Sequence, residues 1–193
     1  MVKVYGRTCS GGVSSSLRPA FCFAALLQCC GGHRPTWRHH DPETHLIPNV
    51  LRAANSEVEY VSVFGNDYPT PDGTCIRDYI HVSDLADAHI RALDYLDNGG
   101  PSTQLNLGNG TGFSVLDVIR AAEAVTGKSI RSKIESRREG DPPQLIADAS
   151  LARMTLGWTP TMPGIEAIVR SAWDWKLANP IGYGKSDAKR DFL

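Results

Sequence analysis

Two arginines of this sequence lie in settings that suit a phosphorylated ligand. Arg77 stands among apolar neighbours in an extended segment that follows a polar Pro/Gly loop at residues 66–73. An unpaired charge in such a segment would be costly, so Arg77 needs an anionic partner. Arg138 lies on a turn that also carries a second arginine and two carboxylates. Because a guanidinium fork matches phosphate oxygens with paired hydrogen bonds, both arginines are candidates for phosphate binding.

Each arginine also has an ordinary structural interpretation. Arg77 could form an ion pair with Asp78 or with Asp84, both of which follow it closely in the sequence. Residues 137–141 could form a solvated turn that binds no ligand, and their spacing favours neither interpretation.

A glycine-rich stretch at residues 108–112 lies between a predicted strand and a predicted helix, where a dinucleotide could bind. The dinucleotide fingerprint requires G-x-G-x-x-G, and its third glycine lets the helix pack closely on the strand. Phe113 occupies that third position here, although Glu135 follows at a distance suited to a ribose contact. The sequence favours a capped turn over a cofactor loop.

Two further kinds of chemistry are not supported by the residue spacing. A tyrosine base that works near neutral pH needs a lysine four residues later on the same helix. None of the six tyrosines has a lysine at that position. His39 and His40 are adjacent, and neighbouring side chains on an extended chain point to opposite faces. The pair is therefore a poor metal site, and we predict no bound metal.

The composition is that of an ordinary soluble domain. The chain has 193 residues, 41% hydrophobic content and a net charge of −1, which argues against binding to nucleic acid or to an acidic membrane. The apolar run Ala20–Leu27 is far shorter than the about 20 residues that a membrane helix needs. Five cysteines without regular spacing indicate a reducing compartment, so we expect a cytoplasmic protein.

The pattern of elements changes near residue 40. Residues 8–40 show no sustained helical or strand period, whereas helical and strand patterns follow one another from Asp41 onward. Cap residues and apolar periodicity predict helices starting at Thr44, at Ser83 with a stripe through His89 and Leu93, at Ser114, at Ala149 and at Pro163. Ser114 and Asp117 have the spacing of a capping box, and Gly127 ends that helix. Extended segments are predicted at 58–64, 74–82, 104–107 and 129–134.

These motifs together resemble those of the UDP-glucose 4-epimerases, an NAD-dependent family of extended short-chain dehydrogenases. The resemblance runs from about His40 to Tyr183. The block Phe-Gly-Asn-Asp-Tyr-Pro-Thr at residues 64–70 is specific to these enzymes rather than to the wider superfamily. Other matching stretches are residues 40–48, 72–74, 77–82, 106–108, 137–141, 156–158 and 172–175.

The resemblance implies roles at two places near the start of the matching segment. His45 and Leu46 match residues at a helix start that contact the ligand diphosphate. This placement fits the general affinity of helix N-termini for anions. Ser62, Val63 and Phe64 match a strand end whose backbone holds the uracil.

Charged residues complete the implied site. Arg77 and Arg138 match the two arginines that bind the diphosphate, and Asp141 matches a carboxylate that accepts hydrogen bonds from the ribose. Leu145 stands where some relatives carry tyrosine, so no contact is expected from it.

The resemblance implies the α/β fold of the C-terminal, substrate-binding portion of an extended short-chain dehydrogenase. The glycine-rich NAD loop and the catalytic Tyr-x-x-x-Lys precede this portion in the family, so we expect the N-terminal Rossmann domain to be largely missing. NAD belongs to the intact family, and we expect no tight binding of NAD to this fragment. We expect residues 1–40 to be irregular, either disordered or read in a shifted frame, residues 41–183 to form a UDP-sugar-binding domain, and residues 184–193 to form a tail.

The implied function is that of a fragment of an isomerase of galactose metabolism, which interconverts UDP-glucose and UDP-galactose. We expect the fragment to retain UDP-sugar-binding residues and to be inactive alone, so whether it acts as an enzyme stays open. The alternative is a non-catalytic sugar-nucleotide-binding protein. The expected partners are UDP-glucose and UDP-galactose, with no nucleic acid and no membrane, and the resemblance allows a homodimer for the intact enzyme.

Overall fold

The computed structural model describes residues 22–24, 28–29 and 43–180. These residues form eight short strands and five helices, and the five helices and four of the strands overlap the predicted segments. The strands are β1 Cys22–Ala24, β2 Gln28–Cys29, β3 Val61–Phe64, β4 Ile76–Ile80, β5 Gln104–Asn106, β6 Gly112–Ser114, β7 Ser132–Glu135 and β8 Gln144–Leu145. The helices are α1 Leu46–Ala54, α2 Val82–Asp97, α3 Val115–Thr126, α4 Ser150–Leu156 and α5 Ile165–Ala178.

Most strand pairs are parallel and join segments that are distant in the sequence. β4 is the central strand, pairing in parallel with β2 and β8 and antiparallel with β6. β1 pairs in parallel with β5, and β3 pairs in parallel with β7. Strands β1 and β2 lie inside the segment 1–40 that we expected to be irregular, whereas the proposed division into domains remains a prediction. His39, His40 and the tail at 184–193 lie outside the described residues.

Two apolar clusters hold the helices in place. The first joins α1, α3 and α5 to strand β3, and its fully buried members include Ile47, Val50 and Val118. The second joins α2 and α4 to β5 around Trp158, which has no exposed surface. The proposed ligand-binding residues described below lie on or next to α1 and β3 of the first cluster, on β4, which contributes to both clusters, and on the turn at 137–141.

The predicted start and end of α3 are confirmed. Ser114 and Asp117 form both hydrogen bonds of a capping box at the start of α3, and Gly127 ends that helix with a left-handed φ of 67°. Two other starts were placed wrongly, because a histidine precedes each helix as its N-cap. His45 rather than Thr44 precedes α1, and His81 rather than Ser83 precedes α2. The His81 ring accepts a hydrogen bond from the Ser83 amide, so a side chain without high capping propensity fills that role.

The buried face of α2 also differs from the predicted stripe. Leu93 was assigned to the apolar face but is 63% exposed, whereas Asp84 is only 2% exposed. The Asp84 carboxylate accepts hydrogen bonds from the Thr161 amide and hydroxyl and from the Met162 amide, at 2.6–3.0 Å. These bonds turn the start of α2 towards residues 161–162. A buried carboxylate is stable when its oxygens are satisfied in this way, and hydrophobic periodicity cannot signal it.

No helix in the described part of the chain combines the length and the apolar character that crossing a membrane requires.

Candidate functional site

A cavity of about 380 Å³ opens between β3, the start of α1, β4 and the turn at residues 137–141. Its walls combine apolar, polar and charged side chains, including two guanidinium groups and two carboxylates. The lining residues are Glu43, Thr44, Leu46, Asn49, Val58, Tyr60, Val61, Ser62, Phe64, Cys75, Arg77, Tyr79, Val115, Arg138 and Asp141.

Most residues predicted for the site face this one cavity. Those that line it are Leu46, Ser62, Phe64, Arg77, Arg138 and Asp141. His45 lies at the start of α1, and its ring nitrogen Nδ1 is 2.7 Å from the carboxylate of Glu43, which does line the cavity. Val63 is 2% exposed and belongs to the first apolar cluster, so only its main chain could contribute to a ligand site. Their binding roles remain predictions, argued further below.

Arg77 is paired with Asp141 across 64 residues of sequence. Its Nη2 donates to Asp141 Oδ1 at 2.5 Å, and its Nη1 donates to the carbonyl oxygens of Ile76 and Pro142 at 2.7 and 2.9 Å. The Arg77 side chain is 12% exposed, so its charge is largely withdrawn from solvent. The suggested ion pairs with Asp78 and Asp84 are wrong, because the carboxylate that Arg77 pairs with is Asp141. These hydrogen bonds fix the orientation of the Arg77 guanidinium, which carries a positive charge to the cavity.

Arg138 also lines the cavity, with its guanidinium over the ring of Phe64. The guanidinium carbon is 3.9 Å from the ring centroid, close enough for a cation–π contact. Among the described residues, no carboxylate lies within ion-pair distance of Arg138. The turn at 137–141 is therefore more than a solvated turn, since it places one cation against the aromatic wall of the cavity.

Cys75 is a cavity residue that the sequence interpretation missed. It precedes Arg77 by two positions, and alternate residues of an extended segment share a face, so this spacing could have identified it. Burial raises the pKa of the Cys75 thiol, while the positive charge of Arg77 acts in the opposite direction.

Alkylation of Cys75 by iodoacetamide is expected to be slow at neutral pH. Because the pKa of this thiol is raised, the reactive thiolate becomes abundant only above the ordinary range of a cysteine. The rate should therefore rise about tenfold per pH unit between pH 7 and 9, since only the thiolate reacts. Peptide-level mass spectrometry separates Cys75 from the other four cysteines. If UDP, the ligand that the family resemblance implies, binds in this cavity, saturating UDP should slow the labelling of Cys75, whereas unchanged labelling would place UDP away from this wall.

The glycine-rich stretch at 108–112 binds a carboxylate of the chain itself. The amides of Asn109 and Gly110 donate to Asp78 at 3.0 and 3.2 Å, and the Ala147 amide adds a third hydrogen bond at 3.3 Å. Burial raises the pKa of Asp78, and the three amides act in the opposite direction because they favour its charged form. A Cβ at Gly108 would lie 2.4 Å from an Asp78 oxygen, so glycine is needed there for close approach.

This geometry supports the capped turn over the cofactor loop. The amides that would face a pyrophosphate are already engaged by Asp78, and Glu135 has Lys133 Nζ 3.2 Å from its carboxylate. Phe113 lies in strand β6, paired with Arg77 in β4. The 108–112 stretch therefore does not fit NAD, and no redox step is assigned to the described residues. They also contain no cluster of three potential metal ligands.

Comparison with known proteins shows which family this chain resembles. The model of the NAD dependent epimerase/dehydratase family matches residues 18–108. A UDP-glucose 4-epimerase of Streptococcus mutans is 51% identical over 148 residues, which are 77% of this chain and 44% of that protein. The chain is similar to members of the NAD dependent epimerase/dehydratase family. The family match begins before His40, the position at which the quoted motifs begin.

Solved structures of this epimerase/dehydratase family share the fold. A crystal structure of a UDP-glucose 4-epimerase matches with a TM-score of 0.79 and 44% identity, over 83% of this chain and 50% of that one. A UDP-glucose 4-epimerase from Bifidobacterium longum, in complex with NAD⁺ and UDP, matches with a TM-score of 0.72 and 38% identity, over 82% and 49%. The α/β fold of part of an extended short-chain dehydrogenase is thus confirmed. The chain spans less than half the length of the curated relatives it matches.

Proposed function

We propose that this chain binds the UDP group of UDP-glucose and UDP-galactose in the cavity, as the substrate-binding portion of a UDP-glucose 4-epimerase. One observation carries the proposal: Arg77 lines the same cavity as Arg138 and Asp141, although it is distant from both in sequence. The relatives support it, because those compared above are named UDP-glucose 4-epimerases and one was solved with UDP. They give no better support to a non-catalytic sugar-nucleotide-binding protein.

The charge distribution suits a diphosphate. Arg77 and Arg138 bring two guanidinium groups to the cavity, and Leu46 brings the first turn of α1 to the same space. That turn contains no acidic residue, so the helix dipole favours an anion there, next to the His45 amide that donates to Glu43 at 2.8 Å. In our proposal the phosphate oxygens replace Asp141 as the acceptor of the Arg77 fork. Asp141 then accepts hydrogen bonds from the ribose hydroxyl groups.

The base is assigned to the edge of β3. In the described part of the chain β3 pairs with β7 on one side only, so the main-chain groups of residues 62–64 are available on the other. Uracil presents a donor between two acceptors along one edge, which a strand backbone can pair with in the manner of an added strand. The ring of Phe64 and the guanidinium of Arg138 close this end of the cavity.

Isothermal titration calorimetry of the 193-residue chain tests the proposal. UDP should bind, and UMP should bind about tenfold or more weakly, because it lacks one phosphate and its charged hydrogen bonds of about 1.5–3 kcal/mol each. ADP serves as the control for base recognition and should bind more weakly than UDP. Absence of UDP binding, or equal affinities for UDP and UMP, would overturn the proposal.

Catalysis by this polypeptide alone is not expected. Its sequence contains no Tyr-x-x-x-Lys, and the Asn109 and Gly110 amides of the glycine-rich turn are engaged by Asp78. Incubation with UDP-galactose and added NAD⁺ should therefore yield no UDP-glucose. Formation of UDP-glucose by the purified chain would contradict this part of the proposal.

A further inference from the structure

Arg137, the neighbour of Arg138, does not line the cavity but makes an unusual set of contacts for a surface arginine. Its Nε donates to the Asp67 carboxylate at 2.6 Å, and its Nη2 donates to the Asp67 carbonyl oxygen. Its guanidinium lies 4.2 Å from the centroid of the Tyr68 ring. Tyr68 is only 5% exposed, so the stacked ring is itself fixed by the surrounding protein. Three contacts thus tie the turn at 137–141 to the loop at 66–73.

The loop that receives Arg137 is a firm support. Within it, the Tyr68 amide donates to the carbonyl oxygen of Gly73 at 2.9 Å. Asp72 accepts hydrogen bonds from the Thr74 amide at 2.9 Å and from the Ser114 hydroxyl at 2.5 Å. Ser114 is the N-cap of α3, so the loop is anchored to the first apolar cluster. Because Arg137 contacts this loop, its position is fixed relative to the first apolar cluster.

Gly65 explains how the two adjacent arginines reach different surfaces. It follows Phe64, has a φ of 87°, and its amide donates to the carbonyl oxygen of Glu135 at 2.9 Å. A Cβ at position 65 would lie 2.7 Å both from Arg137 Cγ and from a ring carbon of Tyr68. The backbone at Gly65 therefore packs directly against the Arg137–Tyr68 pair, while Arg138 stacks on Phe64 at the cavity wall.

We propose that Arg137 is a positioning residue for UDP binding, which acts through Arg138 and rests on the proposed function of the cavity. Stacked on Tyr68 and paired with Asp67, it holds the 137–141 turn so that Arg138 stands over Phe64. A turn with both arginines solvated would sample many orientations, and ordering Arg138 would then cost binding energy. Because the contacts of Arg137 already order the turn in the free protein, UDP binding does not have to order it.

A double-mutant cycle tests this role because it separates action through Arg138 from independent effects. UDP affinity is measured by calorimetry for wild type, Arg137→Ala, Arg138→Ala and the double variant. Arg137→Ala is expected to weaken UDP binding about tenfold in the wild-type background and less than about twofold in the Arg138→Ala background. Equal weakening in both backgrounds, or none in the first, would overturn the proposal.

Two further variants separate positioning from charge and from folding. Arg137→Lys keeps the positive charge but loses the planar fork and the stacking, so it should bind UDP as weakly as Arg137→Ala. Recovery of wild-type affinity by lysine would show that charge alone matters and would contradict the proposal.

If Arg137→Ala does not fold, Asp67→Asn removes the charged partner of Arg137 with little change of shape. Its effect on UDP affinity should then depend on Arg138 in the same way. A wild-type chain that fails to bind UDP would refute the function of the cavity itself, whereas unaltered binding by the Arg137 variants would refute only their role.

Discussion

Replacing Arg77 with alanine is expected to weaken UDP binding about 100-fold or more, the largest effect of any single change in the cavity. Truncating one member of a buried, hydrogen-bonded charge pair costs about 2–5 kcal/mol in binding. Arg77 is 12% exposed, and its hydrogen bonds to two carbonyl oxygens keep it oriented when the diphosphate replaces Asp141 as its partner. Its removal also leaves Asp141 as an unpaired negative charge facing the diphosphate. Titration calorimetry with UDP measures the effect.

Two control variants test whether UDP binding depends on where Arg77 lies or only on the positive charge that it carries. Arg131 is a suitable control, since its side chain is 80% exposed and it lies outside the cavity. Arg131→Ala should therefore change UDP affinity by less than about twofold, as expected for one screened surface charge. Arg77→Lys should recover only part of the affinity because a point charge cannot replace a fork. Equal losses from Arg77→Ala and Arg131→Ala would mean that net charge, not the cavity, governs binding.

The residue types of the site could be anticipated, but their pairing could not. The apolar setting of Arg77 correctly indicated that it needs an anionic partner. The candidates chosen were Asp78 and Asp84, because sequence reasoning searches nearby positions. The partner is Asp141, which is brought close by the parallel pairing of β4 with β8. β8 is two residues long, and such a short strand carries no periodicity from which it could be predicted.

The same distinction between local and distant signals explains the fold. The capping box joins Ser114 to Asp117, only three positions later, so the sequence alone predicted it correctly. The face of α2 depends on Asp84 and its hydrogen bonds to residues 161–162, 77 and 78 positions away. Leucines in α2 were therefore assigned to the core although Leu93 is largely exposed. The glycine-rich turn at 108–112 was correctly preferred as a turn, but its ligand, the Asp78 carboxylate, was not foreseen.

Replacing Trp158 with alanine is expected to reduce the free energy of unfolding by about 3–5 kcal/mol, the usual cost of truncating a buried tryptophan. Trp158 has no exposed surface and fills the centre of the second apolar cluster. Its Nε1 also donates to the carbonyl oxygen of Asp84 at 2.9 Å, which fixes the start of α2. Urea denaturation followed by circular dichroism measures the change.

The Trp158→Phe variant divides that loss into its two causes. Phenylalanine keeps most of the apolar contact but cannot donate, so the buried Asp84 carbonyl loses one partner at a cost of about 1–3 kcal/mol. A loss equal to that of alanine would show that the hydrogen bond, rather than the buried volume, stabilises this cluster. UDP affinity of either folded variant should stay within about twofold of wild type, because distant sites contribute independently. A large loss of affinity in Trp158→Phe would instead show that the second cluster controls the shape of the cavity, through β4, which the two clusters share.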